Sequence, residues 1–143
     1  GIYVGYRWAE KQNIKPLFAF GHGLSYTTFE YGEAKCRKSG SGFKVSVDVT
    51  NTGSRDGKEI VQLYISDVVT SYTWACKELK DFRRVTLEPG ETARVAFDLP
   101  VSACTIVNGD AERIVEPGEF EILIGHSGRY SDLHTTIFNV VEG

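Results

Sequence analysis

Residues 43 to 49 carry Phe43, Val45, Val47 and Val49 on one alternation and Lys44, Ser46 and Asp48 on the other. Successive side chains of an extended strand point to opposite faces, so this run sets one face in a core and the other in water. Asn51-Thr52-Gly53 follows at once. Asn and Gly tolerate the positive φ angles that other residues resist, so the strand ends in a turn. A second strand is predicted over 58–66, with Val61, Leu63 and Ile65 on one face and Ile60, Gln62 and Tyr64 on the other. Its second face is also mostly apolar, which predicts cover on both sides for part of its length.

The same punctuation continues to the end of the chain. Residues 67–77 have no period and read as a long loop holding Tyr72 and Trp74. Leu79, Phe82, Val85 and Leu87 regain strand character, Glu88-Pro89-Gly90-Glu91 supplies a Pro-Gly turn, and Ala93, Val95, Phe97 and Leu99 alternate again. Two such runs across a tight turn predict a hairpin. Asn108-Gly109-Asp110 reads as another hairpin turn, Glu116-Pro117-Gly118 leads into Phe120, Ile122 and Ile124, and a last strand is expected over 133–140. Six or seven short strands without a sustained helical period predict two packed antiparallel sheets, an all-β immunoglobulin-like sandwich over residues 29–143. Residues 1–28 differ: Tyr3, Tyr6, Trp8, Phe18, Phe20 and Tyr26 lie among glycines without either period. This irregular aromatic segment should pack along the sandwich flank or on something outside it, because free apolar area of this kind is a liability.

Composition narrows the function classes. A length of 143 residues with 41% hydrophobic and 24% charged residues is that of one folding domain. A net charge of −3 without a basic block gives no footprint for nucleic acid. No stretch reaches the roughly 20 apolar residues of a membrane-spanning helix. Cys36, Cys76 and Cys104 lack the paired spacing of a zinc site and read as free thiols, which leans toward a cytoplasmic, reducing compartment. With no methionine and Gly at position 1, the chain is expected to be a piece of something longer.

The segment Pro16-Leu17-Phe18-Ala19-Phe20-Gly21-His22-Gly23-Leu24-Ser25-Tyr26-Thr27-Thr28-Phe29 closely resembles a signature of glycoside hydrolase family 3. Three further stretches agree in order and spacing: Val49 to Gly53 through Val61 to Tyr64, then Lys77 to Phe82, then Val115 to Phe120. The resemblance implies that residues 1–28 are the tail of a preceding catalytic-region domain and its linker, and that 29–143 are a C-terminal fibronectin type III-like domain. It implies a parent enzyme that hydrolyses terminal β-linked glucosides or related β-glycosides with retention, through two carboxylates. In that family both carboxylates come from domains preceding this one, so no catalytic residue, cofactor or metal is assigned here and the isolated chain is expected to be inactive.

Two groups of side chains remain as candidates. Tyr6, Phe18, Phe20, His22 and Tyr26 are expected at the junction with the catalytic domains of the same parent protein, His22 with its ring fixed by hydrogen bonds. Tyr72, Trp74 and Lys77 of the long loop are candidates for oligosaccharide contact, since aromatic rings stack on sugar C–H faces and an ammonium hydrogen-bonds hydroxyl groups. His126 and His134 are read as surface residues, with no nucleophile motif nearby. An autonomous carbohydrate-binding module, the competing reading, would present a planar row of exposed aromatics on one sheet. Tyr64, Phe82, Phe97 and Phe138 alternate instead like core or half-buried positions. Nothing in the sequence sets the oligomeric state.

Overall fold

The computed structural model describes residues 1–72 and 75–141. In chain order these form α1 (Tyr6–Lys11), β1 (Phe29–Tyr31), β2 (Lys35–Ser39), β3 (Gly42–Asn51), β4 (Gly57–Asp67), β5 (Glu78–Leu87), β6 (Thr92–Pro100), β7 (Ile106–Val107), β8 (Arg113–Ile114), β9 (Gly118–Gly125) and β10 (Leu133–Val140). In the first sheet β3 is central, with β6 along one edge and β1 and β2 in succession along the other. The second sheet runs β10-β9-β4-β5, and all its neighbours are antiparallel. The alternation read at 43–49 is realised fully, since Phe43, Val45, Val47 and Val49 are buried and the residues between them are not. They meet Val61, Leu63 and Ile65 of β4, Val95, Phe97 and Leu99 of β6, and Phe120, Ile122 and Ile124 of β9 in one core. Each such side chain contributes about 1.5–3 kcal/mol when fully buried.

The hairpin expected between β5 and β6 does not form. β5 pairs with β4 from Gly57↔Leu87 to Ile65↔Glu78, while β6 pairs with β3 from Gly42↔Pro100 to Thr50↔Thr92. The Pro89-Gly90 corner therefore carries the chain from one sheet to the other. A tight reversal serves a hairpin or an inter-sheet corner equally well, and the choice falls to long-range pairing. Here the corner is clipped to Asn51, whose N–H donates to the Glu91 carbonyl at 2.9 Å and whose carbonyl accepts from Gly90 N–H at 2.9 Å. The Asn108-Gly109-Asp110 turn does join a hairpin, β7 to β8.

Phe82 also departs from expectation, with 58% of its surface exposed. A register shift at Leu63/Tyr64 places Leu79 opposite Tyr64 and Phe82 opposite Gln62, so both point to the outer face of the second sheet. Its neighbour Arg83 takes the inner position, the guanidinium 5.1 Å from the Phe97 ring centre. Tyr64, Phe97 and Phe138 are buried as expected.

The segment before the sandwich contains a helix that periodicity did not reveal. The six residues of α1 are too few to be stable alone and bury no residue fully, so no apolar stripe marks them. Gly5 enters the helix at φ 60° and Asn13 leaves it at φ 53°, so residues that accept left-handed backbone bound it on both sides.

Candidate functional site

What keeps α1 in place is the start of β5. Tyr6 Oη accepts from Leu79 N–H at 3.1 Å, Arg7 Nη2 lies 2.7 Å from Glu78 Oε1, and Glu10 Oε1 receives the Lys77 ammonium. Three successive residues, Lys77 just before the strand and Glu78 and Leu79 at its start, thus meet the helix. Lys77 is 0% exposed, and its Nζ also lies 3.9 Å from the Tyr130 ring centre and 5.8 Å from that of Tyr64. Burial pushes the Tyr130 hydroxyl up to about 12, and the Tyr64 hydroxyl well above its ordinary range, with Glu10 adding to both. Both phenols stay neutral beside the ion pair.

The signature segment closes over the outer face of β4, which is the second-side cover that the sequence implied. Phe20 stacks on Tyr6 at 4.4 Å, and Tyr6 meets the Tyr64 ring edge-on at 6.4 Å. Gln62 Nε2 donates to the Gly21 carbonyl at 3.1 Å and to the His126 carbonyl at 2.9 Å, while its Oε1 accepts from Tyr64 Oη at 2.6 Å. The backbone must come this close for the amide to be satisfied. Gly21 is at φ 75°, and a Cβ there would fall 2.2 Å from Gln62 Oε1, so the first glycine of the Gly-His-Gly triplet has a steric cause. Farther along, Thr27 Oγ1 donates at 2.7 Å to Oδ1 of Asn51, a fully buried residue whose Nδ2 donates to the carbonyls of Arg55 (2.8 Å) and Leu87 (2.9 Å).

The aromatic candidates of this segment divide into two sets. Tyr6 and Phe20 turn toward the sandwich, though Phe20 keeps an exposed edge. Phe18 and Tyr26 face outward with Leu17 and Leu24, and Leu24 and Tyr26 are each 95% exposed. His22 is exposed, and its ring lies against Phe18 at 5.3 Å.

In the long loop, Asp67 Oδ1 accepts from Val69 N–H at 3.2 Å, Val68 N–H donates to the Glu119 carbonyl at 3.2 Å, and Ser71 N–H donates to Glu116 Oε2 at 3.1 Å. The first half of the loop is therefore tied to the turn before β9 and to the start of that strand. Tyr72 is exposed, and Trp74 lies outside the described residues. Lys77 does not act with Tyr72 as a surface donor: its ammonium is buried against Glu10 and Tyr130, out of reach of a sugar hydroxyl. Sequence reasoning missed Glu10, Glu78 and Tyr130 as partners of this bracket. The one available signal was a lone carboxylate in an otherwise aromatic and basic stretch.

His126 and His134 are exposed, as expected. Folding does bring His126 Nε2 to 3.5 Å from Asp132 Oδ2, which no spacing revealed. Ser127 Oγ donates to the same Asp132 oxygen at 2.7 Å, so the serine is bonded to the carboxylate and not to the imidazole. A nucleophile–base–orienter order is absent from this cluster. Among the described residues no group of three or more His, Cys, Asp or Glu is arranged to hold a metal.

Two stacked antiparallel sheets with a corner crossing between them define an immunoglobulin-like sandwich, and the fibronectin type III-like domain family matches residues 59–128. The same chain is 48% identical over 134 residues to the thermostable β-glucosidase B of Acetivibrio thermocellus and 45% identical over 139 residues to a β-xylosidase of Formosa agariphila. These matches cover 90% and 94% of this chain but 18% and 19% of those proteins. The solved GH3 β-glucosidase of Bifidobacterium adolescentis superposes with a TM-score of 0.91 at 33% identity, over 98% of this chain and 21% of that one. The chain belongs to glycoside hydrolase family 3, as the fibronectin type III-like domain of such a protein. It spans about a fifth of the length of the relatives it matches.

Proposed function

We propose that this domain is an accessory module that orients and stabilises the catalytic domains of a parent enzyme cleaving terminal β-linked glucosides or related β-glycosides with retention. The observation that carries the reading is the two-sided N-terminal segment. Tyr6, Glu10 and Phe20 bind it to the sandwich, while Leu17, Phe18, Leu24 and Tyr26 form an outward apolar ridge on the same segment. A ridge fixed at its base gives its partner a rigid surface, and burying it contributes about 25 cal/mol per Å² of apolar area. The boundary then differs in meaning from a cut at residue 28: the lead-in belongs structurally to the sandwich and functionally to the interface. The catalytic carboxylates are supplied by the remainder of the parent, as the family resemblance implies. Leu24→Ser with Tyr26→Ser in the parent protein should separate its unfolding into two transitions and lower the first midpoint by several degrees. A single transition at the wild-type temperature would count against the module's packing role.

We also infer that the tip of the 67–77 loop reaches the mouth of the parent's active site. In support, Tyr72 is exposed and the first half of the loop is anchored by Glu116 and Glu119. Tyr72→Ala and Trp74→Ala in the parent should each raise KM for longer oligosaccharides by a few-fold and leave kcat and the KM of a short aryl glycoside unchanged. Unchanged KM across a series of substrate lengths would remove the loop from the substrate path.

A further inference from the structure

The signature segment covers only part of the outer face of the second sheet. Gln62 and Tyr64 of β4 are buried, but Phe82, which faces Gln62 across the β4–β5 pair, is exposed. The next pair along that face is Ile60↔Arg84, and the one after it is Lys58↔Thr86. Ile60 is exposed as well, so Ile60 and Phe82 form an apolar step flanked by the exposed Lys58 and Arg84. Single apolar side chains at a surface need no partner, but this step is not isolated. Leu24 of the outward ridge and Ile60 line one cleft of about 310 Å³, so ridge and step make one surface.

Two features define what fits there. Phe82 N–H donates to Asp81 Oδ1 at 2.7 Å, the Phe82 carbonyl accepts from Arg83 Nη1 at 2.9 Å, and Ile60 N–H donates to Glu59 Oε1 at 2.8 Å. Neighbouring side chains thus occupy these backbone groups, which blunts them against an added strand and leaves contact to side chains. Lys58 and Arg84 have no ion-pair partner among the described residues, in a chain whose net charge is −3. Carboxylates on a facing surface would complement them.

We propose that Ile60 and Phe82, flanked by Lys58 and Arg84, are a second docking surface of the module, met by an apolar patch with a carboxylate at its rim on the catalytic portion of the same polypeptide. The inference rests on the interdomain reading above and adds to it a place on the sheet and the chemistry of the facing surface. The matched region is 18% and 19% of two relatives, so most of each polypeptide lies outside it. Leu24 then carries the contact from the ridge directly onto the sheet.

Hydroxyl-radical labelling of Phe82, followed by peptide mass spectrometry, is expected to be roughly five-fold slower in the parent protein than in the 143-residue chain, because side chains at the centre of an interface are desolvated. The shorter chain is a fair reference, since its two sheets enclose their own core. Equal rates overturn the proposal. Protection of the 143-residue chain by excess cellotetraose, or protection that grows with its own concentration, also overturns it, in favour of a sugar or a second copy. In the parent, a carbodiimide, which joins an amine to a carboxylate in contact with it, should link Lys58 to an Asp or Glu outside this domain. Lys58 left unlinked, or linked only within residues 1–143, contradicts the acidic rim. Lys58→Glu with Arg84→Glu, both at exposed positions, should raise Phe82 labelling in the parent toward the rate of the shorter chain, and unchanged protection counts against the charge complementarity. If the Leu24→Ser, Tyr26→Ser variant uncouples the domains while Phe82 is labelled equally in both forms, the interdomain reading stands and the second surface falls. If the variant does nothing and Phe82 is labelled equally, both fall.

Discussion

Glu10→Ala is expected to cost the domain about 3–5 kcal/mol, the loss typical when one partner of a buried ion pair is removed and the other is left uncompensated. The magnitude follows from the asymmetry of the pair: Lys77 is 0% exposed, whereas Glu10 retains 17% of its side-chain surface. After the substitution the ammonium keeps only the Tyr130 and Tyr64 rings, and a cation–π contact is worth about 0.5–2 kcal/mol, too little to hold a buried charge. Lys77→Met should also destabilise, since it takes the donor from Glu10 Oε1 while Oε2 is already buried without one. The double variant should accordingly be more stable than Glu10→Ala alone. Urea unfolding of the three variants measures this order directly. A Glu10→Ala midpoint close to wild type would mean that α1 is not braced through this pair, and the bracket between the N-terminal segment and β5 would lose its main support.

The second large effect belongs to Asn51. Asn51→Leu strands the Leu87 carbonyl and the Thr27 hydroxyl, both in buried hydrogen bonds, and at about 1–3 kcal/mol for each group the expected loss is about 3 kcal/mol or more. Asn51→Asp separates donor from acceptor. It keeps the acceptor for Thr27 Oγ1 and Gly53 N–H but turns a carboxylate oxygen toward the carbonyls of Arg55 and Leu87. Ionisation is opposed in the folded state, so the new carboxyl's folded pKa lies above its unfolded value of about 3.9. The folded state then binds more protons between those two values, and the variant loses stability as pH rises through that window. The gap between wild type and Asn51→Asp in urea midpoint should be small near pH 4 and large at pH 7. A gap independent of pH would show that the buried donors are not what the position supplies.

Asn51 and Glu10 both act through partners that local sequence rules do not reach. Asn51 was legible as turn chemistry, because Asn-Thr-Gly after an alternating run has one local meaning. Its side chain as the junction of Thr27, Arg55 and Leu87 was not legible, since those partners lie 24, 4 and 36 positions away. Glu10 is the sharper case. No local rule pairs a carboxylate in an aromatic lead-in with a lysine 67 residues later. Lys77 reads as a surface donor because lysines are rarely dry without a partner, and its partner is remote in sequence.

The all-β class, the faces of β3 and β4, the span of β10, the Asn-Gly hairpin at β7–β8 and the family are all legible along the chain. Each is set by periods, turn residues or ordered motifs that act within a few positions of the chain. Tertiary structure alone decided that the Pro89-Gly90 reversal is a corner between sheets, that a register shift turns Phe82 outward, and that the lead-in divides into an inner bracket and an outer ridge. A tight turn is compatible with either sheet partner and an aromatic ring with either face. The choice was made by the pairing energy of whole strands and by the need to satisfy Gln62, Lys77 and Asn51 in the dry interior.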